Sequence, residues 1–194
     1  EPSGHTISVR LFPYARRLVE YQNNQVDAVT DINENIMEEA SLRGFFTGYL
    51  YAYENFVYSR QANGLHLNSI LDIGQRSLVS WQGAKVTIGG DYQKMADNNP
   101  NYREIDRQEA QVRLLATDRT DFIQMDREIF NYYRAKLISE KKIAPTFMVD
   151  EFALLGASLN GVLFRSEQVR DDCVRNLENL PADDPLQAVI RIEQ

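Results

Sequence analysis

Leu114-Leu-Ala-Thr-Asp-Arg-Thr-Asp121-Phe-Ile-Gln-Met-Asp126 decides the fold class. A helical stretch gives way to a polar turn, and then to a short apolar run closed by an acid where the next helix begins. Helix, turn, strand and helix in that order are the unit of an α/β protein, in which a strand feeds a helix that packs back on its sheet. Residues 21–31 carry a weaker echo, with Tyr21 to Asn24 ending a helix and Asp27 and Asp31 flanking a β-prone Val-Thr run. Two such units predict two related α/β lobes; chance similarity is the competing reading.

Working outward, residues 77–126 repeat the rhythm. Ser77–Trp81 reads as a strand, Gln82-Gly83-Ala84 as a turn, and 85–97 as a helix weakened by Gly89 and Gly90. Tyr102–Ile105 is a strand, 107–117 a helix, 121–125 a strand, and 126–141 a helix. Upstream, residues 5–12 alternate and are rich in β-formers, predicting a strand. Tyr14–Gln22 follows as an amphipathic helix, 26–30 as a strand and 36–42 as a brief helix. Residues 49–60 form the strongest strand of all. At ~12 residues the run exceeds the usual five or six, so it either bends or passes from one sheet into a second region. Downstream, 146–152 and 162–164 are strands. Ser166 caps a helix carrying Val169, Cys173 and Leu177, and Asp184-Pro185 opens a last helix.

Composition removes several function classes. The chain has 194 residues, with 21 Lys and Arg against 28 Asp and Glu and a net charge of −7. A general nucleic-acid binder needs a concentrated basic face, so nucleic acid is not an expected partner. No apolar run approaches the ~20 residues of a membrane helix, so the chain is not expected to be membrane-embedded. One cysteine and two histidines leave no disulfide, no cysteine metal cluster and no zinc enzyme, and no metal or cofactor is expected. Nucleophile-elbow, phosphate-loop, dinucleotide and zinc-protease motifs are all missing, so the chain is read as a non-enzyme. It opens Glu1-Pro-Ser-Gly without a leader, which reads as a processed or truncated product.

Ligands of parallel sheets collect beyond the C-terminal ends of strands. That rule nominates Arg16, Asn33, Glu34, Trp81, Gln82, Gly83, Ala84 and Asp126. The 81–84 turn offers backbone N–H groups at a helix start beside an aromatic wall, suited to a carboxylate or phosphate. An ordinary turn with Gly83 at positive φ is the competing reading. Asp126 either caps the following helix, holds an ammonium group, or does both. Tyr51, with Tyr49 and Tyr53 on one strand face, is a ligand wall or core packing.

Pro13-Tyr14-Ala15-Arg16-Arg17-Leu18, Gln25-Val26-Asp27-Ala28, Tyr51–Arg60, Ser69–Ala84 and Leu114–Asp126, in this order, resemble the type II periplasmic solute-binding proteins of ABC transporters, in the amino-acid-binding branch. The resemblance implies an α/β, two-lobed fold in which hinge closure traps one small polar or amine-bearing solute. It further implies a periplasmic location and an ABC transporter permease as partner. Lobe 1 would comprise 1–59 and 156–194, and lobe 2 residues 60–155. The family's ligand-amine acid aligns with Asp126. Its carboxylate-clamping arginine is not in place, since 31–40 carry acids and the nearest arginine is Arg43. That departure favours an amine or cationic solute over an unmodified amino acid. The family also begins with a strand and helix ahead of the segment matching 5–12, so the first lobe is expected to be incomplete. A sensory domain of a membrane receptor is the alternative, followed by an enzyme-associated binding domain.

Overall fold

The computed structural model describes residues 3–188. The chain forms two compact units, one made of residues up to Ala52 together with those from Leu159 onward, the other of Tyr53–Ser158. Each crossing lies inside a strand. Sequence reading put the divisions after 59 and before 156, and offered passage of the 49–60 strand from one sheet into a second region as one of two alternatives. They fall within strands because an extended chain can leave one set of ladder partners and join another without breaking.

In the first unit, α1 (Tyr14–Gln22) leads to β1 (Ala28–Ile32), α2 (Glu34–Glu39) and β2 (Phe45–Phe46). The strands β1 and β2 both pair antiparallel with the end of β8 (Ala157–Phe164), one on either edge. Helix α7 (Glu167–Glu178) follows, and Ser166 caps it as expected, its Oγ accepting the Val169 N–H at 3.4 Å. Tyr21, Val29, Ile32, Ile36, Leu42 and Leu163 make the core. At Gly161 a Cβ would stand 2.0 Å from the Gly48 carbonyl oxygen, so only glycine fits there.

Residues 5–12 form no strand, contrary to expectation. The alternation is present, but a strand is defined by its partner, and Thr6–Leu11 have neither a ladder nor a buried face. After Asp184, a single 3₁₀ turn at Pro185–Ala188 replaces the start of the expected helix, and residues 189–194 lie outside the described residues.

The second unit opens in β3 (Tyr51–Arg60), the long strand, which pairs antiparallel with β6 (Phe122–Asp126) and β7 (Val149–Phe152). Strand β4 (Leu78–Trp81) runs parallel to both β6 and β5 (Tyr102–Ile105). Helices α5 (Gln108–Ala116) and α6 (Arg127–Ser139) cover one face over Phe56, Tyr58, Val79, Ile123 and Met125. Val57, Leu78 and Phe122 on the other face meet α4 (Gly90–Asn98) through Tyr92 and Met95. The expected helix over 85–97 is two helices. Short α3 (Ala84–Ile88) stops at Gly89, and Gly89 and Gly90 at φ +63° and +54° make the joint.

Candidate functional site

The parallel strands β4, β5 and β6 end at one edge of the second unit's sheet, which puts Trp81, Ile105 and Asp126 along that edge. Asp126 is 8% exposed. Its Oδ1 accepts the Ile129 N–H at 3.0 Å, capping α6, and its Oδ2 accepts the Glu54 N–H at 2.8 Å from β3. A carboxylate has about four acceptor positions, so two backbone bonds do not exhaust it. The helix cap is therefore present, and acceptor capacity is left. Around it, Arg127 lies 4.1 Å from the centre of the Phe56 ring and pairs with Glu54 at 3.3 Å and Glu151 at 3.7 Å. Carboxylates thus outnumber cations here.

Behind that edge runs a buried polar chain. Tyr92 donates its hydroxyl to Ser80 Oγ at 2.8 Å, and Ser80 donates to Gln124 Oε1 at 2.6 Å. Gln124 donates to Asn55 Oδ1 at 2.8 Å, and Asn55 to Ser158 Oγ at 2.9 Å. Each member uses its neighbour, so the polar groups are not left costly in the interior. Burial raises the Tyr92 phenol well above its usual range, so this link is a neutral donor at physiological pH.

The 81–84 turn differs from expectation. Its amides were expected to await a carboxylate or phosphate; the carboxylate of Glu104 is already there. Gly83 N–H donates to Glu104 Oε2 at 2.7 Å and Lys85 N–H to Oε1 at 2.8 Å. Gln82 N–H donates to the Ile105 carbonyl at 3.1 Å. Glu104 stands opposite Ser80 on the parallel neighbour β5, which delivers it to the turn. Tyr102 adds a hydroxyl donor to Glu104 at 2.8 Å, and burial raises its phenol further. Gly83, at φ +94°, supplies the left-handed corner of the competing reading, and Ala84 is fully buried. No signal in the local sequence marks Glu104 as the turn's partner, because the contact is made across a parallel ladder.

In the first unit, Arg16 and Arg17 have divided roles. Arg16 is largely exposed and pairs with Glu20 one helical turn on. Arg17 is the buried one. Its guanidinium sits 3.9 Å from the Tyr14 ring centre, donates to the Asp31 carbonyl at 2.7 Å and approaches the Asp31 carboxylate at 3.8 Å. Tyr51 reaches the same aspartate, donating to Oδ1 at 2.9 Å and accepting the Asp31 N–H at 2.8 Å. Burial, reinforced by the Asp31 charge, raises the Tyr51 phenol far above its usual range. Asp31 holds φ +57°, a conformation these contacts sustain. Tyr14, Arg17, Asp31 and Tyr51 thus form one polar cluster in this unit, of which sequence reading nominated only Tyr51 as a site residue.

Among the described residues no group of three or more His, Cys, Asp or Glu is arranged to hold a metal ion, and no helix is long and apolar enough to cross a membrane. The lone Cys173 is half-buried on α7, and burial pushes its thiol upward, away from a reactive thiolate.

No protein-family model matches the chain, and no curated protein sequence matches it. Solved structures do. An ancestral arginine-binding protein bound to glutamine superposes with a TM-score of 0.71 at 15% identity, over 96% of this chain and 79% of that one. A substrate-binding protein of an ABC uptake transporter from Streptococcus pneumoniae, with bound histidine, gives 0.69 at 16% identity, over 94% and 74%. The ligand-binding core of GluR0 with L-glutamate gives 0.65 at 13% identity, over 87% and 74%. The fold is thus the two-lobed α/β architecture of these amino-acid-binding proteins.

Proposed function

We propose that this chain is a periplasmic solute-binding protein that captures a small amine-bearing, amino-acid-like solute and delivers it to an ABC transporter permease. The observation that carries the reading is the fold, shared with proteins solved with glutamine, histidine and glutamate bound. Asp126 is the residue assigned to the solute's cationic group. It sits at the end of a parallel strand with acceptor capacity left, among Glu54 and Glu151. The Glu104 carboxylate at the 81–84 turn argues against a solute carboxylate seated there, since like charges would meet. Trp81 remains an aromatic flank at the same edge. The role is binding, with no bond made or broken.

Calorimetry and thermal-shift measurements over amino acids, amines and small acids test the reading. An amine-bearing ligand is expected to bind. Asp126→Asn is expected to weaken a cationic ligand by about 10- to 100-fold, the worth of one charge-assisted hydrogen bond, and a neutral ligand much less. Equal losses for both would remove the ion-pairing role, and silence across the whole panel would sink the function. A second reading, the ligand-sensing extracytoplasmic domain of a membrane receptor, is supported by the GluR0 likeness. A transmembrane segment in the complete reading frame distinguishes it.

A further inference from the structure

Two backbone donors of different origin hold the Asp126 carboxylate. The Ile129 N–H is local, arriving with the first turn of the helix that Asp126 caps. The Glu54 N–H comes from β3, 72 residues away in sequence. The antiparallel ladder between β3 and β6 ends at Asn55 opposite Asp126, so this second donor lies one residue past the last pair. Its place depends on whatever fixes the end of that ladder. The orientation of the carboxylate depends on it in turn.

Arg127 ties that end down. Strand β3 runs between β6 and β7, with Tyr58 opposite both Ile123 and Glu151. From the end of β6, Arg127 reaches over β3. Its guanidinium lies 4.1 Å from the centre of the Phe56 ring, with Glu54 Oε2 at 3.3 Å and Glu151 Oε2 at 3.7 Å. One planar cation thus joins the residue past the ladder's end, a ring within the ladder and a side chain on the strand beyond. Arginine suits this place, since a guanidinium stacks on a ring and pairs with carboxylates at once. The side chains of all three charged residues are 39–44% exposed, and ion pairs so placed add little to stability. What they supply is geometry. They also direct the cation next to Asp126 in the chain toward Glu54 and Glu151.

We infer that Arg127 is the positioning residue for Asp126. By clipping Glu54 to Phe56 and Glu151, it holds the Glu54 N–H against Asp126 Oδ2, and so sets how the remaining acceptor positions are presented to a cationic group. The inference rests on the solute-binding role proposed for Asp126. Charge alone predicts the opposite effect. A cation beside a site for a cation repels the ligand, so loss of Arg127 would tighten binding. As a positioning residue its loss weakens binding, because the carboxylate is left with one of the two bonds that orient it.

Arg127→Met tests this, keeping a stem on Phe56 and removing the charged fork. In the solute-free variant, amide exchange at Glu54 is expected to accelerate about fivefold, the loss of one hydrogen bond, while Ile129 changes little. The carbon resonance of the Asp126 carboxyl should shift, and the unfolding temperature should move by no more than about 2 °C. With L-arginine as the calorimetric probe, Arg127→Met is expected to weaken binding about threefold to tenfold. Arg127→Lys, which keeps a cation but not the planar fork, should fall between the variant and the unmodified chain. In a Glu54→Gln background the further loss on Arg127→Met should be small, since both changes open the same clip. Tighter or unchanged binding of the probe in Arg127→Met overturns the inference. So does an unchanged Glu54 amide, or equal acceleration at Glu54 and Ile129 with a large fall in unfolding temperature, which marks a merely structural role. If the unmodified chain takes up no amine-bearing solute, the proposed function falls, and the exchange and resonance measurements still decide whether Arg127 positions Asp126. If it binds one while those measurements do not respond, the role of Arg127 alone falls.

Discussion

Glu104→Ala is the most informative single change to the second unit. The carboxylate receives the Gly83 and Lys85 N–H groups and the Tyr102 hydroxyl, at 2.7, 2.8 and 2.8 Å. A hydrogen bond to a charged group contributes about 1.5–3 kcal/mol when well buried. Glu104 is only partly buried, so water replaces some of each bond, and about 1 kcal/mol per donor is the appropriate scale. The expected cost is therefore about 2–3 kcal/mol, corresponding to a fall in unfolding temperature on the order of 10 °C for a unit of this size. Glu104→Gln should recover less than half of the loss, because it keeps one acceptor oxygen but turns an NH₂ group toward a backbone donor. The assay is urea unfolding followed by the fluorescence of Trp81, the only tryptophan, which directly precedes the turn. Hydrogen exchange at Gly83 and Lys85 supplies the local readout and should accelerate in both variants. A loss below about 0.5 kcal/mol, with exchange at those amides unchanged, would refute the clamp and reopen the turn to an external anion.

The two adjacent arginines of α1 should separate cleanly. Arg17→Ala strips a buried guanidinium from Tyr14 and the Asp31 carbonyl and is expected to cost about 2–4 kcal/mol, whereas Arg16→Ala, which removes an exposed guanidinium from the buried Glu20 carboxylate, should cost less, about 1 kcal/mol. Denaturant titration of the two variants decides it, and equal effects would reverse the assignment. A pH effect is expected at Asp72, whose carboxylate is held below its ordinary value of 3.8 by the Asn68 and Ser69 N–H groups, each at 2.8 Å. A lowered carboxylate stabilises the fold above its unfolded value and loses that contribution as pH falls through the folded one. The 3₁₀ turn at Ile70–Ile73 should therefore loosen only in acid below about pH 4, and Asp72→Asn should flatten that acid limb in exchange measurements.

Much of the second unit is legible in its residues. Asp126 at the end of Phe-Ile-Gln-Met announces both a strand end and a helix cap, and the structure has both. Tyr102–Ile105 is a strand at its expected bounds, and Gly89-Gly90 marks a weak point that becomes a true break between α3 and α4. The chemistry of the 81–84 turn was not legible. Its glycine signals the corner, but whether its amides face a ligand or a protein carboxylate depends on which side chain the parallel neighbour delivers. Arg16 and Arg17 show the same limit on a smaller scale. Helical periodicity says the two residues differ in facing by about 100°, and only the position of Asp31 and Tyr14 says which is inside.

What the amino-acid sequence determines by itself here is local: the alternation of helix and strand, the caps at Asp126 and Ser166, and an α/β class. These follow from backbone preference and side-chain period within a few residues. What only the tertiary structure decides is partnership. Residues 5–12 have every strand preference and form no strand, because a strand is stabilised by hydrogen bonds to another segment rather than by its own residues. Glu104 becomes the anion at the 81–84 turn, and Arg17 rather than Arg16 the buried cation, for the same reason. Each outcome is fixed by a neighbour far away in the chain, where pattern and propensity carry no information.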